Sequence, residues 1–303
     1  MSINYVLDPK QFISPDLPCI GLDSHNSQKS TLHRDHCFIG AFSAGLPPEN
    51  VSIADIMQAM EIAINKACAE LGFPKVNPNA FNNARGTWFE YLIAISLWNL
   101  RIDFPKTYTS LIVKLPNVST MKFIDLFEPK THNMLDDLER SLGGQGVNLV
   151  TSNPDLLCVT DLEGLNVEKE CLVKFENCTQ DCLNTITTAY SLILGKCKYN
   201  SIKFGIALKS STRPDRRLQI PHEGSILKAI NAHLQTRFWD PSHDVRYYAA
   251  TASPITEADI KAFKTAATHS ITDVNVRPMA AVDKPFYLAT LADTKAMFIE
   301  CMT

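Results

Sequence analysis

Residues 201–208 read Ser-Ile-Lys-Phe-Gly-Ile-Ala-Leu, a short apolar run with a single charge, and Lys209 follows at once. A run of this length and composition is a buried strand, and it delivers a lysine at its end. Other strands read from the chain are 111–115, 245–251 and 155–160, the last resuming a strand over 148–152 that breaks at Asn153-Pro154. Helical patterns lie between them. Ser52-Ile-Ala-Asp55 is a capping box with Asp in place of Glu. Ile56, Met60, Ala63, Ile64, Ala67 and Leu71 then make one apolar face, which Gly72 closes. Residues 87–100 are apolar around most of the helical circumference, which predicts a central helix, and 133–142 predict a short amphipathic one closed by Gly143-Gly144. Residues 222–238 predict a helix with Ile226, Ile230 and Leu234 inward, and Thr256-Glu-Ala-Asp259 caps another. Strands alternating with helices predict an α/β fold, a mixed central β-sheet flanked by helices.

Residues 1–50 carry Pro9, Pro15, Pro18, Pro47 and Pro48 with little periodicity, and read as an irregular, loop-rich N-terminal arm. Residues 51–303 then form a single domain, with 163–200 a helical insertion in it. The nine cysteines are odd in number and scattered, which fits reduced thiols in a cytosol. Cys178 and Cys182 have helical spacing but lack the two further ligands a zinc site needs. The cluster His25, His33, His36 and Cys37 fits no common metal template. No apolar run is long enough to cross a membrane.

The chemistry concentrates around Lys209-Ser-Ser-Thr-Arg213-Pro-Asp215-Arg216-Arg217, with Glu223 shortly after. Residues 196–217 hold seven Lys and Arg against Asp215 alone, whereas the whole chain has a net charge of −3. A basic segment in an otherwise acidic protein suits a DNA-facing cleft, although a solvated basic face has the same composition. Arginine presents a planar fork that matches the O6/N7 edge of guanine, and a carboxylate accepts from the N4 amine of cytosine. Asp155 begins one strand and Lys209 ends another. A carboxylate and a lysine at neighbouring strand ends are the parts of a Mg²⁺-dependent phosphodiesterase.

That pattern resembles the PD-(D/E)xK nuclease core, with one departure. Ala207 stands two residues before Lys209, where a carboxylate is expected, and Glu223 is the available substitute. The departure is shared by the NgoMIV-like type II restriction endonucleases with a CCGG core. Asn82-Asn-Ala-Arg-Gly-Thr-Trp-Phe-Glu90, Leu149-Val-Thr-Ser-Asn-Pro-Asp155, the stretch from Lys209 to Glu223-Gly224, His233-Leu-Gln-Thr-Arg237 and Thr268-His269-Ser-Ile-Thr all resemble that group. The match is nearest to members cutting purine-CCGG-pyrimidine. The motifs span roughly residues 80 to 285, and the first 50 contribute nothing.

The resemblance implies a restriction-endonuclease-like domain that cleaves double-stranded DNA with Mg²⁺. It makes Asp155, Lys209 and Glu223 the catalytic set, with Glu90 a further acid and Asp155, Glu223 and Glu90 near the metal. It makes Arg213, Asp215 and Arg216 the readers of CCGG. It also implies cleavage before the first C with a four-base 5′ overhang, a homodimer or homotetramer, and a prokaryotic cytoplasm.

Several residues keep two readings. Glu90 is an acid of the site or a buried acid paired with Arg85 or Arg101. Arg217 meets phosphate or a structural carboxylate. Asn83 and Arg85 reach the minor groove ahead of Glu90. Trp239 is core or lies where two dimers meet. His222 and His269 carry no chemistry. Two other functions stand beside the nuclease: a DNA-binding protein that has lost cleavage, and a repair-type nuclease without base reading.

Overall fold

The computed structural model describes residues 5–24, 28–104, 109–118, 120–149, 151–161, 173–265 and 279–303. Near the N-terminus β1 (Ile20–Leu22) and β2 (Ser30–Leu32) pair antiparallel. The central sheet contains β3 (Ser110–Lys114), β4 (Leu156–Thr160), β5 (Ile202–Lys209), β6 (Arg246–Thr251) and β7 (Lys284–Tyr287), side by side in chain order. β3 to β5 run antiparallel, and β5, β6 and β7 run parallel, so the sheet is mixed as expected.

Eight helices of the described residues surround it: α1 (Arg34–Phe42), α2 (Ile53–Glu70), α3 (Pro78–Asp103), α4 (Pro129–Gly144), α5 (Gln180–Thr188), α6 (Pro214–Phe238), α7 (Glu257–Phe263) and α8 (Leu291–Met302). Parallel neighbours need a crossover, and α6 and α7 supply the crossovers between β5, β6 and β7. The capping signals at Ser52 and Thr256 hold: Ser52 accepts from the Asp55 amide, and Thr256 and Asp259 cap each other reciprocally. α3 is the central helix. It buries Phe81, Trp88, Phe89, Leu92, Ile93, Leu97 and Trp98 against α1, α2, α8 and the sheet.

The structure differs from the sequence reading in four places. Residues 1–50 are not an irregular arm. α1 buries Cys37, Phe38, Ile39, Ala41 and Phe42 in the common core, with Phe12 beside them. A short helix buried on nearly every side has no polar face, so it gives no 3.6-residue alternation to read. α3 starts at Pro78 rather than at 87, because Asn77 caps it and Pro78 occupies the first turn. α6 starts at Pro214 rather than at 222. Pro221 removes one backbone donor, yet the burial of Ile220 and Pro221 carries the helix through it. Glu223 therefore sits more than two turns inside α6 and not in its first turn. Residues 148–152 form no strand where they are described. In the proposed 163–200 insertion, residues 180–188 are helical, and 163–172 fall outside the described residues.

One close approach fixes where α6 lies. A Cβ on Gly224 would stand 2.2 Å from the Ala281 carbonyl oxygen and 2.8 Å from Cδ1 of Tyr247. A Cβ on Gly205 of β5 would stand 3.1 Å from Leu227 and from the same Tyr247 ring. Two missing side chains thus let helix and sheet meet over one tyrosine. Gly86 of α3 is the opposite case, with nothing within 4 Å of its absent Cβ. Gly224→Ala should lose about 1–3 kcal/mol by overpacking, whereas Gly86→Ala should gain about 0.5–1 kcal/mol of helix stability. Chemical denaturation of the two variants checks the opposite signs.

Candidate active site

β5 ends on Lys209, and the antiparallel register Leu156↔Ile206 sets Asp155, one residue ahead of β4, next to it. Asp155 Oδ2 accepts from the Leu208 amide at 2.6 Å and from Lys209 Nζ at 2.8 Å. Carrying the register one residue further pairs Asp155 with Ala207. Opposed residues in an antiparallel pair share a face, so a carboxylate at 207 would have stood beside Asp155. Ala207 is fully buried and offers only a methyl group.

Glu223 arrives from α6 instead. Its Oε1 accepts from Gln219 Nε2 at 2.7 Å and from Ser152 Oγ at 3.3 Å, and its Oε2 accepts from the Tyr247 hydroxyl at 2.7 Å. Glu223 and Tyr247 are both buried. Asn153 fixes the loop that carries Ser152. It accepts from the Phe123 amide at 2.7 Å and donates to the carbonyls of Pro116 and Met121 at 3.1 and 2.8 Å.

Glu90 comes from α3 and pairs with Lys114 Nζ at 2.8 Å. Neither arginine considered from the sequence is its partner. Arg85 pairs with Glu61, and Arg101 donates to the Ser110 carbonyl at 3.2 Å.

One cleft is lined by Glu90, Asp155, Lys209 and Glu223, together with Asn82, Asn83, Arg85, Arg213, Arg216 and Gln219. Arg34, from the N-terminal region, and Asn117 also line it. Burial pushes the Glu90 and Glu223 carboxyls up, and the charge of Asp155 adds to both, against the pull of Lys114 and Lys209 respectively. Burial alone would lower the Lys209 ammonium, but the carboxylates of Asp155, Glu223 and Glu90 outweigh it and raise the group.

Among the described residues, no three His, Cys, Asp or Glu side chains form a ready-made metal cage. Mg²⁺ does not ask for one. It takes one or two carboxylates and fills its remaining positions with water and substrate phosphate. Hard carboxylate oxygens whose negative charge is already crowded fit such a cation.

The basic loop divides. Arg213 and Arg216 face the cleft. Asp215 lies between them at 3.3 Å from Arg213 and 3.6 Å from Arg216. Arg217 pairs elsewhere. Its Nε donates to Asp259 Oδ1 at 2.5 Å, and that carboxylate is fully buried and caps α7. The next residue along a helix points about 100° away, so Arg217 leaves the helix on a different side from Arg216. Of its two readings, Arg217 takes the structural carboxylate.

Trp239 is not core. It is 90% exposed and ends α6 in the left-handed conformation, at φ 53°. His222 is exposed and lies outside the cleft, and the segment containing His269 lies outside the described residues. His233 is buried away from the cleft.

Residues 45–303 match the family described as Cfr10I/Bse634I restriction endonuclease. The chain belongs to that family. It is 32% identical over 275 residues to the type II restriction enzyme Cfr10I of Citrobacter freundii, covering 89% of this chain and 94% of that one. Two solved structures of relatives superpose closely. The type IIF restriction endonuclease Bse634I with cognate DNA gives a TM-score of 0.87 at 36% identity, over 95% of this chain and 99% of that one. Bse634I restriction endonuclease gives 0.86 at 35%, over 95% and 98%. The chain is therefore a type II restriction endonuclease, a site-specific nuclease acting on DNA. No described helix is long and apolar enough to cross a membrane.

Sequence reasoning missed Tyr247, Gln219, Ser152 and Lys114. Gln219 had a legible signal, since it lies three residues after Arg216 and four before Glu223, on one helical face. Tyr247 had none, because a tyrosine in a strand reads as packing. Lys114 had none either, because a lysine at a strand end reads as solvated.

The raised carboxyls give a pH signature. A group raised in the fold contributes its stability fully below its unfolded value, about 4.3 for Glu, and loses it as pH rises through the folded value. Glu223→Gln removes that loss. Relative to the wild type, the variant should gain stability as pH rises from about 4 to neutrality. Denaturation midpoints for the two proteins across that range check the sign.

Proposed function

We propose that this endonuclease cleaves double-stranded DNA with Mg²⁺ at a palindromic site with a CCGG core, before the first C, leaving four-base 5′ overhangs. The observation that carries the reading is the shared cleft. Asp155, Lys209 and Glu223 meet on one side of it, and Arg213 and Arg216 line the same opening. Asp155 and Glu223 are the carboxylates that would hold the ion, with Glu90 a further acid beside them. When bound, Mg²⁺ lowers the pKa of water and neutralises charge on the phosphate.

Lys209, fixed by Asp155, orients the attacking water and stabilises the phosphorane-like transition state. Arg213 and Arg216 each take a guanine, and Asp215 accepts from cytosine amines. Asn83 and Arg85 line the same cleft and are the candidates for the minor groove. A palindrome asks for a two-fold protein, so the active species is at least a homodimer. The exposed indole of Trp239 suits a contact that assembles dimers into a homotetramer. Bse634I is named in a structure with cognate DNA, which supports a DNA duplex as the substrate here.

Digesting DNA of known sequence and mapping the ends tests the reading. Cuts before the first C of CCGG, only with Mg²⁺, are expected. Asp155→Ala should abolish cutting yet keep specific binding in Ca²⁺. Cuts at unrelated sequences would favour the repair-type nuclease, and binding without any cleavage would favour the DNA-binding protein.

Trp239→Ala should move the protein from tetramer to dimer in sedimentation without a loss of stability, since the side chain is already in solvent. A buried Trp would instead have cost about 3–5 kcal/mol.

A further inference from the structure

Three side chains on one face of α6 form a hydrogen-bonded row. Arg216 Nη1 donates to Gln219 Oε1 at 2.5 Å, and Gln219 Nε2 donates to Glu223 Oε1 at 2.7 Å. Chemistry fixes the direction of the amide. A guanidinium has no acceptor, so it must face the amide oxygen, and an ionised carboxylate only accepts, so it must face the amide nitrogen. The two ends of the row have different duties under the function proposed above, on which this inference rests. Arg216 reads a base and Glu223 holds the metal.

Glu223 is also held unevenly. Its Oε2 is tied to Tyr247, which is fully buried where Gly205 and Gly224 leave room for its ring. That donor cannot move without moving the sheet. Its Oε1 is tied to Gln219, a half-exposed side chain lining the cleft, whose other end is bound to the reading arginine. The Oε2 donor is rigid; Oε1 has two donors, Ser152 Oγ at 3.3 Å and Gln219 Nε2 at 2.7 Å, and the shorter of them follows Arg216.

We propose that Gln219 is the positioning residue through which base reading controls cleavage. A matched guanine binds Arg216 through two of its five N–H groups and leaves one for Gln219, so the amide stays on Glu223. A wrong base sets a donor or a methyl group against Arg216 in place of guanine's two acceptors and pushes the guanidinium from its place. The shift takes Gln219 with it and loosens the carboxylate that holds the ion. Outer partners of metal ligands typically govern metal affinity by about 10–100-fold. Discrimination therefore includes a metal-dependent component expressed in cleavage and not in binding.

The test is the Mg²⁺ concentration giving half-maximal single-turnover cleavage. It is measured on a duplex carrying the mapped site and on one with a guanine of that site changed. The wild type should need about tenfold more Mg²⁺ on the changed duplex. Gln219→Met should need the higher concentration on both, so that the difference disappears, while DNA affinity in Ca²⁺ stays within about twofold. Tyr247→Phe should raise the requirement on both duplexes and keep the difference. Gln219→Asn, which keeps the amide on a shorter arm, should behave as Gln219→Met.

A Gln219→Met protein that preserves the wild-type difference overturns the inference, as does a wild type with no difference to lose. Failure of the underlying reading shows separately: Glu223→Gln would then cut at the wild-type rate.

Discussion

Glu223 reaches Asp155 and Lys209 because α6 lies against the sheet with no side chain at Gly224 to hold it off. A Cβ at Gly224 would stand 2.2 Å from the Ala281 carbonyl oxygen, so there is no room for a methyl group, and the ring of Tyr247 fills the space that Gly205 and Gly224 leave. The same tyrosine donates to Glu223. The contact that sets helix against sheet therefore also sets the carboxylate. With Ala207 providing nothing on the strand, the acidic group of the centre is held by tertiary packing and not by strand periodicity.

The electrostatics follow from that placement. Three carboxylates and two lysines share a half-buried space, and burial together with Asp155 raises Glu90 and Glu223. Water is too far removed to screen the charges well, so each acid depends on named partners: Lys209 for Asp155, Lys114 for Glu90, and neutral donors for Glu223. Loop and centre are adjacent for a covalent reason. Lys209 ends β5, Arg213 precedes α6, and Glu223 lies on that same helix.

Much of this was legible in the chain. The buried run ending on Lys209, Asp155 at the head of a strand and the absence of an acid at Ala207 were all local, and the structure keeps each. What was not legible depended on distant residues. α1 gave no periodic signal because it is buried on almost every side. The helix through Glu223 was read only from His222, because the burial that carries it across Pro221 comes from elsewhere in the fold. Arg217 kept two partners in view from the sequence, and Asp259, 42 positions away, is the one the fold brings to it. Trp239 kept two readings because exposure cannot be read from an aromatic residue at a helix end. The partners of Glu223 come from β6, from the loop that carries Ser152 and from its own helix, and only the last left a spacing to notice.

The central claim is that Glu223 supplies the carboxylate that Ala207 lacks. A crystal structure with cognate DNA and Ca²⁺ measures it directly. The account predicts a cation with oxygens of both Asp155 and Glu223 at about 2.3–2.6 Å, and Tyr247 still donating to Glu223. A cation bound by Asp155 with Glu223 outside its coordination shell would contradict the account.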